Sequence, residues 1–144
     1  MKTITIKQPW AHLICSGFKD IENRTWRTNF RGRVLIHAGA NDNYKRSMNL
    51  LFSPEQWEYM RAKGGKNLLN YMFAGNWNRS AIIGSVEIVD CVQNHPSIWA
   101  EKGVWNWVLA NPVLFSKPIE KVKGKLSFWD YPMTEDEYMR IATI

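Results

Sequence analysis

A chain of 144 residues has the length of one domain and is too short for two separate cores. Its two cysteines exclude a disulfide framework, and no apolar run approaches the ~20 residues a membrane-spanning helix needs. Nineteen Lys plus Arg against thirteen Asp plus Glu leave a net charge of +6, which suits a polyanionic partner and equally a merely soluble basic protein.

The opening MKTITIK alternates, with Ile4 and Ile6 on one face and Thr3 and Thr5 on the other, and predicts a half-buried strand. No apolar stretch of the signal-peptide kind follows it. Together with Cys15 and Cys91, which read as reduced, packed thiols, this points to a cytoplasmic protein. Pro9 suits a first helical turn, Trp10, Leu13 and Ile14 share one face, and Gly17 is a natural stop, so residues 9–16 are predicted as a short helix. Residues 18–28 read as an irregular strand or loop, and Arg33 to Ala38 as a second strand. Asn41 or Asp42 is expected to cap a helix carrying Tyr44, Met48 and Leu51 on one stripe.

Ser53-Pro54-Glu55-Gln56 is a capping box with proline at the first helical position, and Phe52 can pack on Trp57 as a hydrophobic staple. Gly64-Gly65 is expected to end that helix, and residues 66–78 read as a further helical turn or two. Ala81 to Val92 is β-rich, with Gly84 marking a bulge or a close backbone approach. Val104 to Leu109 reads as a strand with Trp105 and Trp107 on one face, which Val113 to Phe115 can extend past Pro112. Leu126 to Tyr131 is a last strand. Thr134-x-x-Glu137 opens a terminal helix, with Met133 and Tyr138 as its staple. Strands dominate both ends without β–α–β alternation. The expected fold is α+β, a small closed or nearly closed barrel with a helix after the first strand and a helical insertion, all one domain over residues 1–144.

The densest polar stretch runs from Lys19 through Asp20, Glu22, Arg24, Trp26, Arg27 and Arg31 to Arg33, with five cations against two anions. Arginine forks suit phosphate and Trp26 can stack a base; the same residues can equally form a solvated, salt-bridged turn. Lys19 and Glu22 can be an acid–base pair or a surface ion pair. His37 ends a strand, where it can titrate near neutrality or simply hydrogen-bond. Lys117, Lys121, Lys123 and Lys125 form a second basic stretch. No metal-ligand cluster, phosphate-binding loop or dinucleotide fingerprint stands out, so neither metal nor cofactor is expected.

Ile6-Lys7-Gln8-Pro9-Trp10-Ala11, Gly17-x-Lys19-x-x-Glu22-x-Arg24-x-Trp26 and Arg31-Gly32-x-x-Leu35-Ile36-His37-Ala38, in that order, resemble the ASCH domain. Ala81-Ile82-Ile83-Gly84, Trp105-x-Trp107, Pro118-Ile119 and Gly124 continue the similarity over nearly the whole chain, residues 41–78 least. The resemblance implies a PUA-like β-barrel whose cleft is associated with RNA and modified bases. It implies ligand-facing roles for Lys19 and Glu22, with Gln8, Trp10, Arg24, Trp26 and His37 nearby and Arg27, Arg31 and Arg33 available to phosphates. A branch of this superfamily resembles amidohydrolases of acetylated cytidine and carries Thr where this chain has Glu22; other relatives are ribonucleases. Three functions therefore stand open: RNA or nucleotide binding, hydrolysis of RNA or a modified nucleoside by Lys19 and Glu22, and protein interaction in a transcription or translation complex. A further wall, formed by Trp105, Trp107 and His37, is the alternative site.

Overall fold

Alternating and β-branched segments at both ends of the chain collect into one six-stranded sheet. The computed structural model describes residues 1–42 and 50–143, with the backbone alone at position 42. In chain order the elements are β1 (Lys2–Gln8), α1 (Trp10–Cys15), β2 (Ile21–Arg24), β3 (Gly32–Asp42), α2 (Pro54–Ala74), β4 (Ala81–Val92), β5 (Trp105–Ile119), β6 (Phe128–Asp130) and α3 (Glu135–Ala142). The strand order is β2-β5-β4-β3-β1-β6.

The sheet is strongly curled into a PUA-like half-barrel, and its ladders carry the bends. Register shifts interrupt β4 and β5 at three places, β3 and β4 between Ile36 and His37, and β1 and β3 between Ile6 and Gln8. Each such irregularity adds local twist and lets a long strand turn a corner. Gly84 sits at one of them, where an added Cβ would press into the Val113 carbonyl oxygen and the Cys15 side chain. Ile4, Ile6, Val34, Ile36, Ile83, Val86, Ile88 and Trp107 fill the concave interior, closed by Ala11, Ile14 and Cys15 of α1.

Several expectations are revised. β1 and β3 pair in parallel, with α1 in the crossover between them, so the chain does contain one strand–helix–strand passage. A parallel pair requires such a connection; the helix after the first strand was legible in the sequence, but which strand β1 pairs with is set only by register across the sheet. The polar face of β1 is covered as well: Thr3 is buried, its hydroxyl donating to the Met1 carbonyl at 3.0 Å. Asn41 and Asp42 continue β3 instead of capping a helix, because Asp42 still pairs with Gln8. Of the helix expected after them, positions 44 and 48 lie outside the described residues. β5 runs unbroken from Trp105 through Pro112 to Ile119, and β6 is limited to Phe128–Asp130.

The capping box at Ser53 forms in full, Gln56 N–H donating to the Ser53 hydroxyl and Ser53 N–H to Gln56 Oε1, and Phe52 meets Trp57 edge-on at 5.0 Å. Gly65 breaks the helix with a φ of 59°, and the chain resumes a helical course to Ala74. Thr134 caps α3, whose Tyr138 is buried beside Met133 as the staple requires.

Candidate functional site

A cavity of about 630 Å³ opens beside α1 and β2. Its wall is built by three segments: the α1–β2 passage with Trp10, Lys19, Glu22, Asn23 and Arg24; the β4–β5 loop with Trp99, Ala100 and Glu101; and the β5–β6 loop with Lys125, Leu126 and Ser127. Lys7 of β1, Asn41 of β3 and Gln56 of α2 are also part of it, with further residues of β1 and β3 and Leu51.

Local sequence explains the placement of Lys19. Gly17 leaves the helix with a φ of 87°, and the Phe18 and Lys19 amides both donate to the Leu13 carbonyl, which folds the chain back over α1. The Lys19 side chain, only 6% exposed, donates to the Ile21 carbonyl and lies 3.8 Å from Glu22 Oε1 and 5.5 Å from the centre of the Trp10 ring. Burial pushes its pKa below the ordinary lysine value, and the carboxylates of Glu22, Glu101 and Asp20 pull back the other way. Burial also removes the solvated surface pair as a reading of Lys19 and Glu22. Glu22 Oε2 accepts from both Nε and Nη2 of Arg24, at 2.9 and 2.8 Å, and Arg24 Nη2 also donates to the Thr5 carbonyl at 3.0 Å. The result is a fixed row of cation, carboxylate and cation, bounded by an indole face.

The opposite wall was not legible from the sequence. Asn23 and Asn106 face each other across the β2–β5 ladder. Asn23 Nδ2 donates to the Trp99 carbonyl at 2.9 Å, while its Oδ1 accepts from the Glu101 amide at 3.1 Å and from Asn106 at 2.9 Å. Asn106 also donates to the Glu101 carbonyl at 3.0 Å. Gln56, already spent as a helix cap through Oε1, uses Nε2 to hold the Ile98 carbonyl at 2.8 Å. Side-chain amides thus stand in for a regular ladder and fix Trp99 and Glu101 toward Lys19. Residues 93–104 carry no periodicity, so only the ladder register exposes this arrangement.

Of the residues singled out from sequence, Trp10, Lys19, Glu22 and Arg24 line the cavity together. Lys125 of the second basic stretch joins them, and the remaining candidates stand outside the lining. Gln8 is buried, with Oε1 accepting from the His12 amide and Nε2 donating to the Asn78 carbonyl. Trp26 is half-buried and packs edge-on to Phe128 and to Trp107, which is fully enclosed in the core. His37 is buried between Thr5 and Val122; Trp105 lies under Arg27, whose guanidinium is 5.7 Å from its ring centre. Arg31 donates to the carbonyls of Thr28 and Phe30 and lies 3.7 Å from Asp90; Arg33 holds Ser85, Asn111 and Glu87.

Two comparisons bear on this arrangement. A family model described as "ASCH domain" matches residues 4–119. The chain is similar to "Activating signal cointegrator 1" of Homo sapiens, 32% identical over 89 residues, and to the protein of the same name from Mus musculus, 33% identical over 89 residues. The matched segment covers 62% of this chain and 14% of the length of each relative. Among the described residues no helix is long and apolar enough to cross a membrane.

Proposed function

This chain belongs to the ASCH domain family, and on that premise we propose that its cavity binds RNA by holding one base or nucleotide against Lys19, Glu22 and Trp10. The observation that carries the reading is the pre-set row of buried Lys19 and Glu22 with half-buried Arg24 beside an indole at the wall of a cavity of nucleotide scale. Trp10 offers an apolar face to a base, Glu22 and Glu101 offer acceptors to its N–H groups, and the exposed Lys7 and Lys125 offer charge to phosphate. Because Arg24 and Lys19 already orient Glu22, little side-chain freedom is lost when a ligand arrives.

Anisotropy titration of labelled RNA tests this. Glu22→Gln is expected to weaken binding by about 1–3 kcal/mol, the range of one charged hydrogen bond, with the fold intact. Unchanged affinity in a protein that binds RNA would move the site elsewhere.

One observation favours a second reading, hydrolysis of RNA or a modified nucleoside. Desolvation makes the Lys19 ammonium readier to give up its proton, as a general acid requires, and the carboxylates of Glu22, Glu101 and Asp20 stand near it. In that case Glu22→Gln cuts turnover of a labelled oligonucleotide or of acetylated cytidine by ~100-fold or more while binding persists.

A further inference from the structure

The second basic stretch has a setting its composition does not reveal. Lys121, Lys123 and Lys125 alternate along the β5–β6 loop, all exposed, and Lys125 reaches the cavity rim. Among the described residues no carboxylate lies within 4.0 Å of any of their ammonium groups, whereas Lys19, Arg24, Arg31 and Arg33 all sit within that distance of one. Unpaired cations retain their full charge for a partner; paired ones must first give up a partner of their own.

The loop that carries these lysines is built rather than loose. The Val122 amide donates to the Ser80 carbonyl at 2.8 Å, and the Val122 carbonyl accepts from His37 Nε2 at 2.6 Å. With Nε2 donating, Nδ1 of the neutral ring accepts from the Thr5 hydroxyl at 3.1 Å, and Trp129 Nε1 donates to that same hydroxyl oxygen at 3.3 Å. Gly124 lies flat on this cluster: a Cβ there would come within 2.9 Å of both His37 Cε1 and Thr5 Oγ1. The Lys125 ammonium is 5.8 Å from the centre of the Trp129 ring. Beyond it Leu126, 95% exposed, projects at the cavity rim.

We propose that the loop from Lys121 to Ser127 is a phosphate-binding extension of the cavity, anchored from beneath by His37 and Gly124, so that the ligand is a stretch of single-stranded polynucleotide and not a free nucleoside. This rests on the reading of the cavity given above. Three cations at alternate positions of a fixed loop present a row of charge to successive phosphates leading away from the held nucleotide, and the bare Leu126 offers an apolar contact to the next base. His37 and Gly124 are positioning residues that act through the loop.

The test compares an RNA of about six nucleotides of randomised sequence with the four single nucleoside monophosphates, within the span of one small single-strand site. Wild-type protein is expected to bind the oligonucleotide at least about tenfold more tightly, with a steeper salt dependence. In the double variant Lys121→Ala/Lys123→Ala, neither residue of which lines the cavity, most of that gain disappears and the salt slope falls by about 1–2, while monophosphate affinity is unchanged. Gly124→Ala displaces the loop and makes the effect of Lys125→Ala smaller than in the parent, a non-additivity that independent contributions would not give. Monophosphates bound as tightly as the oligonucleotide would overturn the extension and leave the cavity reading standing. A polyglutamate of equal charge bound as well as RNA would overturn the extension too. Binding of neither nucleotide nor oligonucleotide would overturn both readings.

Discussion

At Lys19 burial and charge act against each other. The ammonium is held away from water, and its stabilisation by Glu22, Glu101 and Asp20 does not restore the ordinary lysine pKa. Because its folded-state pKa is depressed, the unfolded chain binds this proton more readily, and Lys19 subtracts stability throughout the neutral range. An apolar side chain of similar length removes that penalty and leaves Glu22 paired with Arg24. Lys19→Met is therefore expected to melt at the same or a higher temperature than the parent while RNA affinity falls by about tenfold or more, the pattern of a residue kept for binding at some expense of stability. A Lys19→Met protein that loses stability and keeps its affinity would make Lys19 a structural residue. His12 gives a second residue-scale effect with a defined sign. It is stacked on Tyr71 at 4.2 Å, and burial lowers its pKa from 6.5 to about 4. Burial lowers His37 in the same direction, against the pull of the Val122 carbonyl. Folded-state values below the unfolded ones mean that stability is whole above about pH 6.5 and declines as pH falls toward about 4. Urea unfolding at pH 7 and 4.5 is expected to show a drop that His12→Phe reduces by about 2 kcal/mol.

At the scale of elements, the segments that announced themselves were those with a period or a cap. The alternation of β1, the Ala81–Val92 run, the Ser53 capping box and the Thr134 N-cap depend on neighbours two to four residues away, and the structure has them in place; at Thr134 only the hydroxyl half of the box forms, accepting from the Glu137 amide. What depended on distant partners was not legible. The parallel pairing of β1 with β3, and the Asn23–Asn106 pair that carries Trp99 and Glu101, exist only once register is set. The candidate site divides the same way. Its α1–β2 half was named through the family resemblance carried by Gly17, Lys19, Glu22 and Arg24, whose spacing alone allows a surface ion pair equally well; its β4–β5 half was hidden in a segment without pattern. Gly84 stands between the two cases, flagged by its neighbours and explained by Val113 across the ladder. Gly84→Ala forces β4 and β5 apart and is expected to lower stability by about 1–3 kcal/mol, as overpacking does, with a matching loss in thermal midpoint. A neutral result would mean that the bulge at this position yields freely.

For the whole molecule, the net charge of +6 has a definite layout. The arginines of the first basic stretch that lie outside the cavity are tied to the sheet or to an indole, while Lys7 at the cavity and the lysine loop beside it keep their cations exposed to solvent. The curled sheet brings the α1–β2 passage, the β4–β5 loop and the β5–β6 loop to one opening, although they are separated by most of the chain. The eight tryptophans are distributed over the same geography: Trp10 and Trp99 at the cavity, the others in the core or on other faces. Their indole N–H groups therefore report directly on where a ligand sits. In a ¹H–¹⁵N titration with single-stranded RNA, the indole signals of Trp10 and Trp99 should shift together with the amides of Lys19, Glu22 and Glu101, while those of Trp77 and Trp107 stay in place. Saturable shifts confined to Trp77, or to residues around Arg31 and Arg33, with Trp10 and Trp99 unmoved, would contradict RNA binding in this cavity.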